Sequence, residues 1–255
     1  MDYGGLLTDS VEFTRNTLAG NVRRGIVLLV LYALATSSLP ALPSVIPLSE
    51  IFRFAALVAI VVISLVSLLI LNGYAYEVYR HPRGPPPIED PIDLALHGVR
   101  LLVVSLVYLI PVLLVLFVFG GIGVMGILAS GQTQDMAALL SSIATLGLGI
   151  LLALIVWVVT GLVSSLGLVR CARRDGIREA FNFAAILEHI GRIGWVNYIV
   201  ALLVLWIVLG CAYAAIGIFS GLPVVGWVAG IVIGSAAFIF SARYLSLVFD
   251  SASAP

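Results

Sequence analysis

The first guide to chemistry in this sequence is where its ionisable groups fall among long apolar runs, because such groups are costly to bury in an apolar medium. Only Arg243 lies inside one of these runs, shortly before the end of the last. An arginine there can carry its guanidinium out to lipid headgroups, form an ion pair, or make an anion or headgroup site. No Asp, Glu or His stands near the middle of any apolar run, which argues against a proton-coupled pump. Tyr108 and Pro111 share the third run. Proline there predicts a kink stabilised by packing, or a broken helix that offers backbone carbonyls to a substrate. A transport site would draw on Asn72, Tyr108, Asn197 or Ser164; without one the bundle should be dry.

Other constellations are weaker. His81, His97 and His189 all lie between the apolar runs, with Asp93 and His97 on one helical face and Glu188 beside His189. Fragments of two ligands occur by chance, so no metal and no cofactor is expected. Cys171 and Cys211 form no CxxC or Cys/His cluster. There is no GxSxG and no HExxH, and all 13 basic residues are arginine, so there is no Walker lysine. No catalytic residue is expected. Gly226, Gly230 and Gly234 recur every fourth residue, which places them on one helix face where another helix can approach, within the bundle or at a dimer seam.

The elements that must hold these residues follow from composition. Of 255 residues, 62% are apolar and 10% charged, against about 25% charged in an ordinary soluble domain. The zero formal net charge gives no sign of a nucleic-acid partner. A spanning helix needs about 20 mostly apolar residues. Six stretches qualify, near 26–42, 54–76, 101–126, 143–169, 195–219 and 224–249. The expected fold is an all-α integral membrane bundle forming a single domain over 1–255. Pro40, Pro43 and Pro47 crowd the end of the first stretch, so Leu39 to Ser49 reads as a loop. The residues ahead of Arg23 and Arg24 include Asp2, Asp9 and Glu12, which speaks against a cleaved signal peptide or a twin-arginine export signal.

Arginines set the expected orientation. Arg15, Arg23, Arg24, Arg80, Arg83, Arg100, Arg170, Arg173, Arg174, Arg178 and Arg192 all fall on one side of a six-span layout, while the opposite connections hold only Arg53. The positive-inside rule then places both termini in the cytoplasm. Each cytoplasmic segment also reads as a short amphipathic helix feeding a hairpin of two spans: about 9–22, 90–99 and 177–193. In the second, Asp90 can cap, Pro91 suits the first position, and Ile92, Ala95, Leu96 and Val99 share a face. In the third, Phe183, Ile186, Leu187 and Ile190 form a stripe opposite the Glu188 and Arg192 pair. Such helices either lie in the interface plane or extend the spans.

Several of these segments also carry a family likeness. They include Thr8-Asp9-Ser10-Val11-Glu12-Phe13-Thr14-Arg15, Gly73-Tyr74 with Tyr79-Arg80, and Val107-Tyr108-Leu109-Ile110-Pro111. Further along come Glu179-Ala180-Phe181-Asn182-Phe183, Ile190-Gly191-Arg192-Ile193-Gly194-Trp195, Pro223-Val224-Val225-Gly226-Trp227 and Ala242-Arg243-Tyr244. Together they resemble, over essentially the whole chain, a family of archaeal membrane proteins known as domain of unknown function four-zero-one-three. The resemblance implies a multi-pass cell-membrane protein of archaeal source and brings no catalytic residue with it. One departure is that Pro91 and Ile92 follow the acidic pair where the family pattern has an aromatic anchor.

The expected function is a non-enzymatic membrane protein that organises lipid or a partner through interfacial helices. Its partners would be the bilayer, anionic headgroups, and a protein or a second copy of the chain. The alternative is a transporter or channel for a neutral or lipid-like molecule, and the third reading is an intramembrane enzyme.

Overall fold

The computed structural model describes residues 1–36, 50–81, 84–88, 90–133 and 135–253. These are helical almost throughout, with no strand among them. The α-helices are α1 (Tyr3–Leu18), α2 (Val22–Thr36), α3 (Glu50–Arg80), α4 (Pro91–Thr133), α5 (Met136–Arg173), α6 (Phe183–Ile193), α7 (Trp195–Phe219) and α8 (Pro223–Asp250). Short 3-10 turns at Ile177–Phe181 and Ser251–Ser253 complete the order.

Five of these helices are long and apolar enough to cross a membrane, and the bent pair α1 and α2 makes a sixth if counted as one span. Those two helices meet at 97°. The corner has local causes. Asp2 caps α1 by accepting from the Gly5 amide at 2.9 Å, and Asn21 opens α2 by accepting from the Arg24 amide at 3.2 Å. Gly25 then rests on the Leu18 carbonyl, where a Cβ would overlap it. The expected first span, 26–42, is described only as far as Thr36, and the expected loop at 39–49 lies outside the described residues.

Of the two readings of the middle amphipathic segment, the structure takes the one in which it extends its span. Residues 90–99 do not form a separate interfacial helix; α4 runs unbroken from Pro91 to Thr133. Asp90 caps it as expected, accepting from the Ile92 amide at 2.9 Å. Nothing between Val99 and Leu101 breaks a helix, and the helix also continues through Pro111. The 43 residues of α4 reach about 64 Å at 1.5 Å per residue, about twice a hydrocarbon core of about 30 Å. The third amphipathic segment is separate. Asn182 caps α6 through the Ala185 amide at 3.2 Å, and Gly194 at φ +90° turns the chain straight into α7.

The chain divides into two compact units, Met1–Leu102 with Leu166–Pro255, and Val103–Ser165. The first is built on Tyr74, Tyr76, Tyr198, Tyr244, Leu28, Leu166, Ile186, Ile190 and Leu202, all fully buried. In it α3 and α4 touch backbone to backbone. A Cβ on Gly73 would overlap the Leu94 carbonyl, and one on Gly98 the Leu69 carbonyl. The second unit is the hairpin of the inner parts of α4 and α5. There Gly123 admits Leu146, Gly126 admits Ser142 and Gly149 admits Phe119. Most other side chains of this hairpin face outward, Phe117 at 81% exposure and Met125 at 73%. Apolar surface of that extent requires an apolar solvent.

Candidate functional site

The polar chemistry of the first unit is concentrated where helix ends meet. These are the end of α3, the start of α4, the end of α5, α6, the start of α7 and the end of α8. One knot forms on Asp175, which follows α5 in a left-handed backbone conformation, φ 51°. Its carboxylate accepts from the Tyr76 hydroxyl at 2.6 Å and pairs with Arg100, tying α3 and α4 to the turn after α5. The Tyr76 hydrogen bond, then the Arg100 charge, holds this carboxyl below its usual range against the opposing effect of burial. His97 stacks on Tyr76 with ring centres 4.6 Å apart. Glu77 lies between His97 and His81, at 3.0 and 3.1 Å from their Nδ1 atoms. With Arg80, Asp90, Asp93 and Pro85 to Pro87 these groups line a cavity of about 580 Å³.

A second knot gathers at the end of α8. Asp250 accepts from Arg173 at 2.8 Å, and the same guanidinium donates to Ser246 at 3.1 Å. His189 of α6 donates from Nε2 to the Phe249 carbonyl at 2.9 Å and stacks on the Phe249 ring at 4.1 Å. Burial pushes this imidazole below its usual range, against the Phe249 carbonyl, which favours the protonated ring. Arg170 reaches Glu179 at 2.8 Å. Arg24 closes the α1–α2 corner, donating to the carbonyls of Asn16 at 2.9 Å, Thr17 at 3.1 Å and Pro85 at 3.3 Å.

Arg243 takes the ion-pair option. Its Nε donates to Asp9 at 2.7 Å and its guanidinium lies 4.9 Å over the Phe13 ring, with the side chain 9% exposed. Removing the carboxylate from so enclosed a cation costs more than the pair contributes. Asn197 meets the Tyr3 hydroxyl, which donates to its side-chain oxygen at 3.2 Å, so it helps seat α1. Asn72 donates to the Leu68 carbonyl of its own helix at 2.8 Å.

The second unit holds its own small cavity, about 120 Å³, lined by Tyr108 and Ser164 with Ser105, Thr160 and Trp157. Ligand pockets usually measure about 300–1,000 Å³. Thr160 and Ser164 donate to carbonyls of their own helix at 2.8 and 3.3 Å. The three spaced glycines of α8 do not form one seam. Gly234 faces the Tyr32 ring of α2, Gly230 touches Ile216 of α7 at ordinary contact distance, and Gly226 abuts the Phe219 backbone. The backbone contacts at Gly73 and Gly98 leave no signature in spacing, although Gly73 stands in one of the family segments.

Asp175 and Glu179 stand among Arg170, Arg173, Arg174 and Arg178, a local signal for pairing, whereas Asp250 lies far along the chain from its partner Arg173 and carries no such signal. Among the described residues no group of three His, Cys, Asp or Glu is placed to hold a metal ion. Asp93 approaches His97 at 3.9 Å, whereas His189 is engaged at the α8 end.

Comparison with known proteins leaves this site without an assigned chemistry. No curated protein and no solved structure matches the chain. A family model does match, over residues 56–241, from within α3 to within α8, under the description "Protein of unknown function (DUF4013)". The Gly73-Tyr74 segment falls inside that stretch, whereas Ala242-Arg243-Tyr244 begins just beyond its end and Thr8 to Arg15 precedes it. The chain therefore belongs to the DUF4013 family, as a multi-helix membrane protein.

Proposed function

We propose that this protein is a non-enzymatic organiser of membrane lipid, acting through apolar faces that its helix ends present beside exposed arginines. The observation that carries the reading is the divided stripe of α6. Ile186, Ile190 and Ile193 are buried in the protein, while Phe183 and Leu187 stand 52% and 43% exposed. Arg178 and Arg192, nearby in sequence, are exposed as well. The first turns of α4 repeat the pattern, with Ile92, Leu96 and Val99 exposed. A helix clamped on one face and apolar on the other, bordered by cations, suits the headgroup boundary of an anionic leaflet. Cell-membrane residence, cytoplasmic termini and an archaeal source belong to the same proposal. The meeting of the arginine-bearing helix ends in one unit supports the arginine-rich side as the cytoplasmic one.

The test is reconstitution into vesicles of phosphatidylcholine with and without phosphatidylglycerol. The protein should retain phosphatidylglycerol through detergent extraction and mass spectrometry, and should pass no neutral solute. Solute flux that depends on Tyr108 or Pro111 would establish the transporter reading instead. A reporter fused at the carboxyl end should register in the cytoplasm.

A further inference from the structure

We infer a specific lipid site in the first unit: a groove between α7 and α8, walled on its third side by α1, that takes one acyl chain of an anionic lipid with its headgroup at Arg15. The inference rests on the lipid-organising reading and names the ligand class and its seat. The groove encloses about 430 Å³. Leu209 and Ala212 line one side, Ile233 and Ala236 the other, and buried Ala237 and Phe240 form the floor. Its lining is apolar except for Thr14 and Arg15. The Thr14 hydroxyl is already committed to the Ser10 carbonyl at 2.7 Å. Arg15 is therefore the charge that the groove offers a ligand. It is exposed, and among the described residues no carboxylate pairs with it, Glu12 on the same helix included.

Physics selects the occupant. Lipid tails are as apolar as leucine, so an apolar groove in a membrane holds a chain by fit and not by the hydrophobic effect. Lasting occupancy needs a second hold, and one arginine at the lip supplies it for a phosphate. A second copy of the chain would have to bring a carboxylate against Arg15. A lipid brings its phosphate already attached to the chain.

The experiment uses the full chain in vesicles holding trace spin-labelled phosphatidylglycerol or phosphatidylcholine, and reads the motionally restricted fraction. Wild type should favour phosphatidylglycerol about fivefold, the ratio expected for one arginine at an anionic surface. Arg15→Gln should bring the two lipids level. Ala212→Phe, which fills the groove, should remove one restricted lipid per protein whatever its headgroup. If wild type favours phosphatidylglycerol and neither variant changes the signal, the groove site is overturned and the general lipid reading stands. If wild type shows no preference, both fall. Arg15→Gln alters an exposed side chain, so it decides the matter even if Ala212→Phe fails to fold.

Discussion

The polar helix ends of the first unit and the α4–α5 hairpin of the second solve the same problem, holding long apolar helices together, by different means. In the first, charged groups reach across elements distant in sequence: Asp9 to Arg243, Arg173 to Asp250, Arg100 to Asp175. In the second, glycines on one helix receive side chains from the other, as Gly126 receives Ser142. The difference teaches where each force is useful in a bilayer. Without a hydrophobic drive between helices, close packing is the general adhesive, and ion pairs serve where a charge must be enclosed.

Substitutions can break that comparison in order of severity. The largest effect should come from Gly73→Val, whose side chain must displace the Leu94 carbonyl and so the backbone of α4. A loss of about 3 kcal/mol or more is expected, at the top of the overpacking range, read as thermal unfolding in detergent. Asp9→Asn should follow, costing about 2 kcal/mol. That is below the usual figure for a broken buried pair because Asp9 itself is 48% exposed. Gly126→Ala in the hairpin meets the side chain of Ser142 and not its backbone, so about 1 kcal/mol is expected. If Gly126→Ala proved as costly as Gly73→Val, the contrast between yielding and unyielding neighbours would be lost.

Acid should act on the first unit through two groups with separate windows. His189 has a lowered folded pKa, so the stability tied to its neutral ring is complete above about 6.5 and declines as pH falls through the folded value. Asp175 is lowered as well, and its contribution is complete above about 3.9 and is lost as pH falls through its lower folded value. A melting-temperature profile against pH should lose its upper phase in His189→Gln and its lower phase in Asp175→Asn. The Asp175 phase should be modest, since the side chain is half exposed. The smallest effect should be at Glu188→Gln. Its partner Arg192 lies 2.5 Å away but both are exposed, and a change under 0.5 kcal/mol is expected, shrinking further in salt.

Much of the fold was legible from residue types. The cap at Asp90, the apolar lengths, and the break before α6 depend on local sequence, and a local pattern reports them. The continuity of the amphipathic segment at 90–99 with its span was not settled by residue types. Amphipathic and fully apolar stretches are both helical, and only a breaker between them would mark a joint. The site was harder to read. Arg243 stood out because it is charged in an apolar run, but its partner Asp9 lies at the other end of the chain, where no spacing rule reaches it. Tyr108 and Ser164 do share a cavity, while Asn72 and Asn197 are turned to other duties by the helices that carry them.

Composition over a length that the bilayer defines dictates the apolar surroundings, the helical class and the helix ends on which charge is allowed. Helix packing settles which arginines pair with carboxylates and which, like Arg15, face outward beside an apolar groove. It also decided which glycines bring backbones together. Those outcomes depend on the approach of helices far apart in sequence, where a few ångströms separate a satisfied charge from an exposed one.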